Sequence, residues 1–308
     1  MKVSKNKGIT LVALIVTIII LLILAGISIS TLTNTGIFEK VKEAKKASEN
    51  AEKEQNQVLD EYENELNNYI PTPISKTEKK VGYYADIDDD GIIDGVIYAD
   101  LAVGNTGNGQ WSDEDGNYSI PIKTNLKEYY VSKKNYDDKF GIENVISPIK
   151  NSTGEDRFYV MSLTDIEKDN KNNFDWYNAA YEYKMEDYES TTSGDFGTGK
   201  NNTATMISRW NSKAYGDQDK CLEHRDVWGQ IQKEVDKGWF LPSRGEWSAF
   251  TKEIGVNLDD YKEKGLNDWY WSSSQRKTNN AFGASFGQNY IGYNNVNQFH
   301  YVRLSITF

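Results

Sequence analysis

The turn at residues 86–95 carries aspartates at a spacing that suits a bound cation. They are Asp86, Asp88, Asp90 and Asp94. They occupy relative positions 1, 3, 5 and 9, and Gly91 at position 6 permits a sharp turn, as in a calcium loop. A helix-flanked calcium loop also needs Glu at position 12, where this chain has Ile97. No lysine lies within the turn to balance its charge. Two interpretations stay open: a calcium ion held between two strands, or a solvated Asp/Gly hairpin turn.

Residues for catalysis are few. The chain has one cysteine, Cys221, and two histidines, His224 and His300. A site built from several histidines is therefore excluded, and a Ser-His-Asp triad would need one of these two residues. We expect a protein that is not an enzyme and has no catalytic residue.

The stretch between Gln275 and His300 is rich in Asn, Gln and Tyr. Asn and Ser adapt their hydrogen bonds to a partner, and Tyr offers a rigid amphipathic surface, which is the composition of binding faces. The alternative is a set of ordinary Asn-rich hairpins. The predicted ligand-binding residues are Asn289, Tyr290, Tyr293, Asn295, Asn297 and His300.

The segment at residues 9–29 contains no charge. As a helix it would be about 31 Å long, enough to cross a bilayer. Lys2, Lys5 and Lys7 precede it, and positive charge stays on the cytoplasmic side. We therefore expect a single-pass protein of the cell membrane, with its N-terminus in the cytoplasm and its C-terminal domain extracellular, at the cell surface.

The junction KGITLV at residues 7–12 resembles the processing site of type IV prepilins and pseudopilins. The resemblance implies cleavage by a prepilin peptidase between Gly8 and Ile9, and methylation of the new N-terminus at Ile9. Pilin subunits usually carry Glu at the fifth mature position, where this chain has Ala13. That departure suits an anchor or a minor subunit better than a filament core.

Residues 30–70 contain many Glu, Lys, Ala and Gln, which favour a helix. This predicts a helical stalk, either solvated or packed against the next domain. Pro71 and Pro73 end it, because proline lacks the N–H and disfavours helix before it. Residues 185–203, rich in Ser, Thr, Gly and Asn, predict a long surface loop.

Three ordered motifs lie in the distal half of the chain: WFLPSRGEW at residues 239–247, YWSSS at 270–274, and a terminal strand with VR at 302–303. Together they resemble the signature of C-type-lectin-like domains, the group that includes formylglycine-generating enzymes and retroelement variable proteins. Ser243 and Glu246 also form the pattern of a capping box at a helix start. The resemblance implies a lectin-like domain at residues 155–308.

The predicted fold class is α+β, with a long N-terminal transmembrane and stalk helix and then a mostly β extracellular region that ends in a C-type-lectin-like domain. The predicted parts are a leader at 1–8, a transmembrane helix at 9–29, a stalk at 30–70, a linker at 71–80, a β-rich region with the Asp-rich turn at 81–154, and the lectin-like domain at 155–308.

The predicted function is that of a membrane-anchored, prepilin-like binding or adhesion protein that displays a lectin-like ligand-binding domain. The resemblance to retroelement variable proteins adds the hypothesis that this domain is diversified in sequence. The alternative is a minor type IV pilin or pseudopilin with a structural role. The expected partners are the membrane, a prepilin peptidase, a protein or carbohydrate ligand, and other pilin-like subunits. Nucleic acid is excluded as a partner by the net charge of −11.

Overall fold

The computed structural model describes residues 13–22, 37–69, 71–108, 117–136, 144–217 and 225–308. The chain divides into two compact units, Met1–Leu66 and Asn67–Phe308. Each unit is described by itself.

The first unit contains helix α1 at residues 13–22 and most of helix α2, Ile37–Tyr69. The ten described residues of α1 extend about 15 Å, half of the ~30 Å hydrocarbon core of a bilayer. Helix α2 has 33 residues but is rich in Lys and Glu, and its side chains from residue 40 to 59 are exposed except for the half-buried Ala44. In the described part of the chain, no helix is both long and apolar enough to cross a membrane.

Two predictions are therefore wrong. The fold class, with its long N-terminal transmembrane and stalk helix followed by a mostly β region, is replaced by a sheet-rich mixed α/β fold in which a group of short helices lies in sequence between two runs of strands. The predicted location was a single-pass protein of the cell membrane, with a cytoplasmic N-terminus and an extracellular domain. It is contradicted because none of the described helices is long and apolar enough to cross a membrane. The prediction followed from the uncharged run at 9–29, whereas the helix described within that run covers only residues 13–22.

In the second unit, the described elements are a run of eight strands, then six short helices, then five strands. Its strands are β1 Tyr84–Ala85, β2 Gly95–Asp100, β3 Asn105–Asn108, β4 Asn117–Ile120, β5 Tyr129–Val131, β6 Val145–Pro148, β7 Phe158–Ser162, β8 Asn173–Phe174, β9 Trp269–Lys277, β10 Asn280–Ser285, β11 Tyr290–Asn295, β12 His300–Tyr301 and β13 Ser305–Thr307. Its helices are α3 Ala180–Tyr183, α4 Tyr188–Thr191, α5 Gly199–Asn211, α6 Val227–Gln230, α7 Gln232–Val235 and α8 Arg244–Ile254.

The strands form two larger sheets and a hairpin. One sheet has six strands in the order β13-β7-β2-β1-β6-β5, and the other has five in the order β11-β10-β9-β12-β8. Strands β3 and β4 form a separate two-stranded sheet among the described strands. The Asp-rich turn joins β1 to β2, which pair antiparallel with Tyr84 opposite Val96, so the turn lies between two paired strands, as both interpretations of it expect.

Helix α8 links the two larger sheets through its buried face. Trp247 and Phe250 belong to a core cluster that also contains Tyr98 of β2 and Tyr270 of β9. Ser243 Oγ accepts a hydrogen bond from Glu246 N–H (3.2 Å), and the Glu246 carboxylate accepts one from Ser243 N–H (2.7 Å). This reciprocal pair is the capping box predicted from the sequence, and it fixes the start of the helix.

The C-terminal residues tie the two sheets together. Strand β12 lies in the five-stranded sheet and β13 in the six-stranded sheet, so residues 302–304 pass from one to the other. They do so without strand structure, contrary to the expected terminal strand. Arg303, almost fully buried, forms an ion pair with Asp165 (2.6 Å) and donates to the Gly265 carbonyl (2.6 Å), which holds this crossing in place.

Candidate ligand-binding site

A groove of about 550 Å³ opens on the five-stranded sheet, beside strands β9 to β12. Its lining residues are Asp268, Trp269, Ser285, Gln288, Tyr290, Tyr293, Asn294, His300 and Tyr301. The lining therefore combines aromatic rings with side chains that can donate or accept hydrogen bonds. Concave sites with a few converging polar groups are typical of ligand binding.

Two glycines lie directly opposite each other in the sheet beneath this groove. Gly283 of β10 pairs with Gly292 of β11. A β-carbon on Gly283 would lie 2.6 Å from Trp269 Nε1, and one on Gly292 would overlap the ring of Tyr290. Glycine inside a strand marks a place where another group approaches the backbone closely. Here the groups that approach are the two aromatic rings, which lie against the sheet because neither glycine has a side chain.

His300 completes the aromatic surface on the β12 side. Its ring centroid lies 5.0 Å from that of Trp269 and 4.5 Å from that of the buried Trp271. Burial lowers the pKa of His300 to about 4, so the ring is neutral at neutral pH. Asn294 Nδ2 lies 3.1 Å from His300 Nε2. Because an amide nitrogen only donates, Nε2 accepts this bond and the proton is assigned to Nδ1.

The acidic side of the groove is formed by Asp268. This exposed carboxylate accepts a hydrogen bond from Gly287 N–H (2.8 Å) and a longer one from Ser285 Oγ (3.4 Å). Both bonds leave acceptor capacity on the carboxylate, which has four lone-pair positions. Asp268 can therefore hold the turn between β10 and β11 and also accept a bond from a ligand.

The residues predicted to bind ligand are placed differently by the structure. Tyr290, Tyr293 and His300 line the groove, and the described lining does not include Asn289, Asn295 or Asn297. The Asn295 side chain instead accepts a hydrogen bond from Asn280 (2.8 Å). Asn297 lies beyond the end of β11, and Asn289 has a positive φ of 51° in the turn before it. No measurement of binding bears on these residues, and their ligand-binding role stays a prediction.

Strand alternation explains part of this division. Successive side chains of a strand point to opposite faces, so Tyr290, Gly292 and Asn294 share one face of β11, and Asn295 belongs to the other. Tyr293 also belongs to that other face and nevertheless contributes to the lining of the groove. The Tyr293 ring, 43% exposed, lies 5.4 Å from the Arg276 guanidinium. The sequence reasoning missed Trp269, Asp268 and Asn294. For Asn294, the alternation of side chains along a strand was the signal that could have identified it, because Asn294 lies four positions after Tyr290.

The Asp-rich turn is a second candidate site. Asp86, Asp88 and Asp94 can each place a carboxylate oxygen within 4.8 Å of the other two, whereas Asp90 is not part of this group. Burial, together with the neighbouring carboxylates, raises the pKa of Asp94, although a hydrogen bond from Ile87 N–H opposes the shift. Hard carboxylate oxygens at this separation fit the ligand set of a divalent cation such as calcium.

The turn is also held by hydrogen bonds and by a distant lysine. Asp86, fully buried, accepts bonds from the N–H groups of Asp90 and Gly91 (3.0 Å each) and from the hydroxyl of Tyr136 (2.6 Å). Lys134 Nζ lies 2.7 Å from Asp89 and 3.8 Å from Asp86. Lys134 thus supplies part of the positive charge that the turn itself lacks. A bound cation would compete with Lys134 for these carboxylates.

Lys2, Lys5 and Lys7 lie outside the described residues, and so do four residues that were candidates for processing or catalysis. They are Gly8 and Ile9 of the predicted processing site, and Cys221 and His224 of the catalytic considerations. Within the described residues, His300 is the one histidine.

Comparison with known proteins gives few matches. No family model matches the chain, and no curated protein matches it. A solved structure of a fimbrial protein from Bacteroides ovatus is similar over 74% of this chain and 48% of its own, with 14% sequence identity and a TM-score of 0.35. The chain thus spans about half the length of that structure. A pilus-related surface protein is the coarse class common to its title and to the prediction, but a likeness at this TM-score carries no conclusion about function.

Proposed function

We propose that this chain is a binding or adhesion protein and that the groove on the five-stranded sheet holds its ligand. The observation that carries the proposal is the pair of rings, Trp269 and Tyr290, that lie across the paired glycines Gly283 and Gly292. Glycine inside a strand costs about 0.5–1 kcal/mol relative to alanine. Two opposed glycines therefore reduce sheet stability, and the surface that they permit is the compensating gain.

The indole of Trp269 supports a role in binding rather than in stability. It is half-buried, and its Nε1 is buried without a hydrogen-bond partner in the described residues. An unsatisfied buried donor costs about 1–3 kcal/mol. A purely structural position would be better filled by an apolar side chain that has no such donor. The flat ring is what Trp269 adds to the groove.

In this proposal, the lectin-like resemblance of residues 155–308 describes the scaffold. Trp247 and Trp271, both from the signature motifs, are fully buried. The Trp247 indole donates to the Trp271 carbonyl (3.1 Å), and the Trp271 indole donates to the Phe174 carbonyl (2.8 Å). Signature residues of this kind hold helix α8, β9 and β8 together, so that groove residues can differ without loss of the fold.

The proposed activity is binding without chemistry. His300 is neutral and packed between two tryptophans, which suits hydrogen bonding better than proton transfer near pH 7. A calcium ion at Asp86, Asp88 and Asp94 is proposed as a stabilising cofactor of the β1–β2 hairpin. The resemblance at residues 7–12 adds a prepilin peptidase, and other pilin-like subunits, as proposed partners.

The test uses the full chain on two arrays, one of glycans and one of surface proteins. The Tyr290→Leu variant removes a groove ring, and Tyr181→Ala removes a tyrosine that is 38% exposed and does not line the groove. We expect the wild type to bind at least one probe, Tyr290→Leu to lose that binding, and Tyr181→Ala to retain it. Equal binding by both variants, or no binding on either array, would refute the proposal.

A further inference from the structure

We infer that the ligand of this groove is a neutral glycan, whose sugar ring stacks on the aromatic surface formed by Trp269 and Tyr290. This inference rests on the proposed function of the groove and adds the chemical class of the ligand. It is carried by the shape of the aromatic surface, by the mixture of hydrogen-bonding groups around it, and by its charge.

The shape follows from the glycine pair. A side chain at Gly292 would occupy the space of the Tyr290 ring, and one at Gly283 would press on the Trp269 indole and on the Tyr270 carbonyl. Without those side chains, the rings lie low against the sheet instead of standing out from it. Both rings line the groove and are half-buried, so each presents part of its surface to a ligand. Aromatic faces carry partial negative charge, and the C–H groups of a sugar ring, polarised by their oxygens, complement such a face.

The hydrogen-bonding groups suit hydroxyls. Each sugar hydroxyl both donates and accepts, so a matching site needs acceptors and donors side by side. Asp268 offers a carboxylate that keeps acceptor capacity, and the exposed Gln288 offers both an amide oxygen and an amide nitrogen. Asn294, held by His300 at 3.1 Å, has its amide orientation fixed on the same side. A fixed amide loses less entropy on binding than a free one.

The charge of the groove selects among glycans. Of its lining residues only Asp268 carries a formal charge, since His300 is neutral at neutral pH. Among the described residues, the lining contains no Lys or Arg, and the chain as a whole carries a net charge of −11. A phosphate, sulfate or uronic acid group would meet repulsion here without a partner. Neutral hexoses and N-acetylhexosamines remain.

A folded protein partner fits the groove less well. Binding between proteins depends on large anchors that enter well-packed, desolvated pockets. This groove instead lies on a sheet face, and its lining carries polar groups at Asp268, Gln288, Asn294 and His300. Binding to a folded protein is therefore one of the outcomes that the test can show, but we expect binding to a glycan.

The experiment measures binding of the full chain to an array of neutral glucose, galactose, mannose and N-acetylglucosamine oligosaccharides. Sialylated and uronic-acid glycans and the array of surface proteins are measured beside them. Four variants are compared. Tyr290→Phe keeps the ring and Tyr290→Leu removes it. Asp268→Asn removes the charge at an exposed position, and Tyr181→Ala is the control outside the groove. We expect binding to a neutral glycan that weakens at least about tenfold in Tyr290→Leu and in Asp268→Asn, and less than about threefold in the other two variants.

The remaining outcomes separate the two proposals. Binding only to acidic glycans or to surface proteins, with the same loss in Tyr290→Leu, would overturn the glycan inference and leave the groove as the binding site. Glycan binding that is unchanged in every groove variant, or no binding to any probe, would overturn both the glycan inference and the proposed function of the groove. Because Asp268 is exposed, its variant stays informative even if Tyr290→Leu fails to fold, which thermal unfolding of each variant would reveal.

Discussion

Replacement of Glu246 by Gln should change how the stability of this protein depends on pH. Glu246 is fully buried, and its carboxylate accepts hydrogen bonds from the N–H groups of Ser243 (2.7 Å), Gly197 (3.1 Å) and Gly199 (3.2 Å). Burial raises its pKa from the ordinary 4.5 to about 7, against the lowering effect of those bonds. The folded protein therefore holds a proton between these pH values that the unfolded chain has released.

The sign and size of the effect follow from this difference. A group that binds its proton more tightly when folded contributes stability that is fully present below pH 4.5 and is lost as pH rises toward 7. The difference between the two pKa values corresponds to about 3 kcal/mol. Gln keeps the shape of the side chain and cannot titrate. The stability of Glu246→Gln relative to the wild type should thus increase by about 3 kcal/mol between pH 4.5 and pH 7.5.

The assay is urea unfolding of both proteins at several pH values in this range, followed by tryptophan fluorescence. The difference between the two curves removes contributions from all other titrating groups, including His300. Affinity at the groove should not change, because Glu246 does not line it. Parallel profiles for the two proteins would refute the reasoning, since they would mean that the carboxyl keeps its ordinary pKa despite full burial.

Three further predictions concern other parts of the chain. Burial lowers the pKa of His300 to about 4, so the stability that neutral His300 contributes is fully present above the ordinary pKa of 6.5 and is lost as pH falls toward 4. This loss, about 3 kcal/mol, should be absent in His300→Gln, and an acid unfolding profile equal to that of the wild type would contradict the prediction. Calcium at about 100 times its Kd should stabilise the protein by about 2.7 kcal/mol, an increase that Asp88→Ala abolishes and the exposed Asp259→Ala keeps. Equal melting temperatures in millimolar calcium and in chelator would leave a simple polar turn. If the resemblance at residues 7–12 is correct, intact-mass analysis should find a chain that begins at methylated Ile9, and a retained Met1 would contradict it.

Local signals in the sequence predicted several elements well. The capping box of Ser243 and Glu246 depends on two residues three positions apart, and the structure contains it. The hairpin around the Asp-rich turn depends on two apolar runs and the turn between them, and it forms as predicted. The run from Trp269 forms strand β9. The capping box and the hairpin are each fixed by interactions within one short stretch of chain.

Other features depend on contacts between distant residues, and the sequence did not predict them. Lys134 reaches Asp89 across 45 positions, which no pattern within the turn indicates. Residues 185–203 were expected to be a surface loop because they are polar. They include helix α4 and the start of α5, where Asn202 is buried and donates to the Ser193 carbonyl (2.7 Å). Polar composition indicated exposure, whereas hydrogen bonding to the rest of the fold buries these groups.

The candidate groove lies between these two cases. Its residues are close in sequence, from Asp268 to Tyr301, and the stretch that composition indicated, from Gln275 to His300, overlaps this range. The particular residues depend on strand register: the pairing of Gly283 with Gly292 decides which rings can lie flat, and that pairing follows from the length of the turn between β10 and β11. Register is a property of two strands together, and one strand's pattern does not determine it.

The most direct test of the groove is the indole N–H resonance of Trp269 in the full chain, assigned by its absence in Trp269→Phe. The wild-type protein is titrated with the glycan that binds most tightly on the array. We predict that the Trp269 signal shifts in a saturable manner, while the indole signals of the fully buried Trp176 and Trp228 stay in place. A Trp269 signal that does not move at saturating glycan, while another tryptophan responds, would contradict the assignment of the binding site to this sheet.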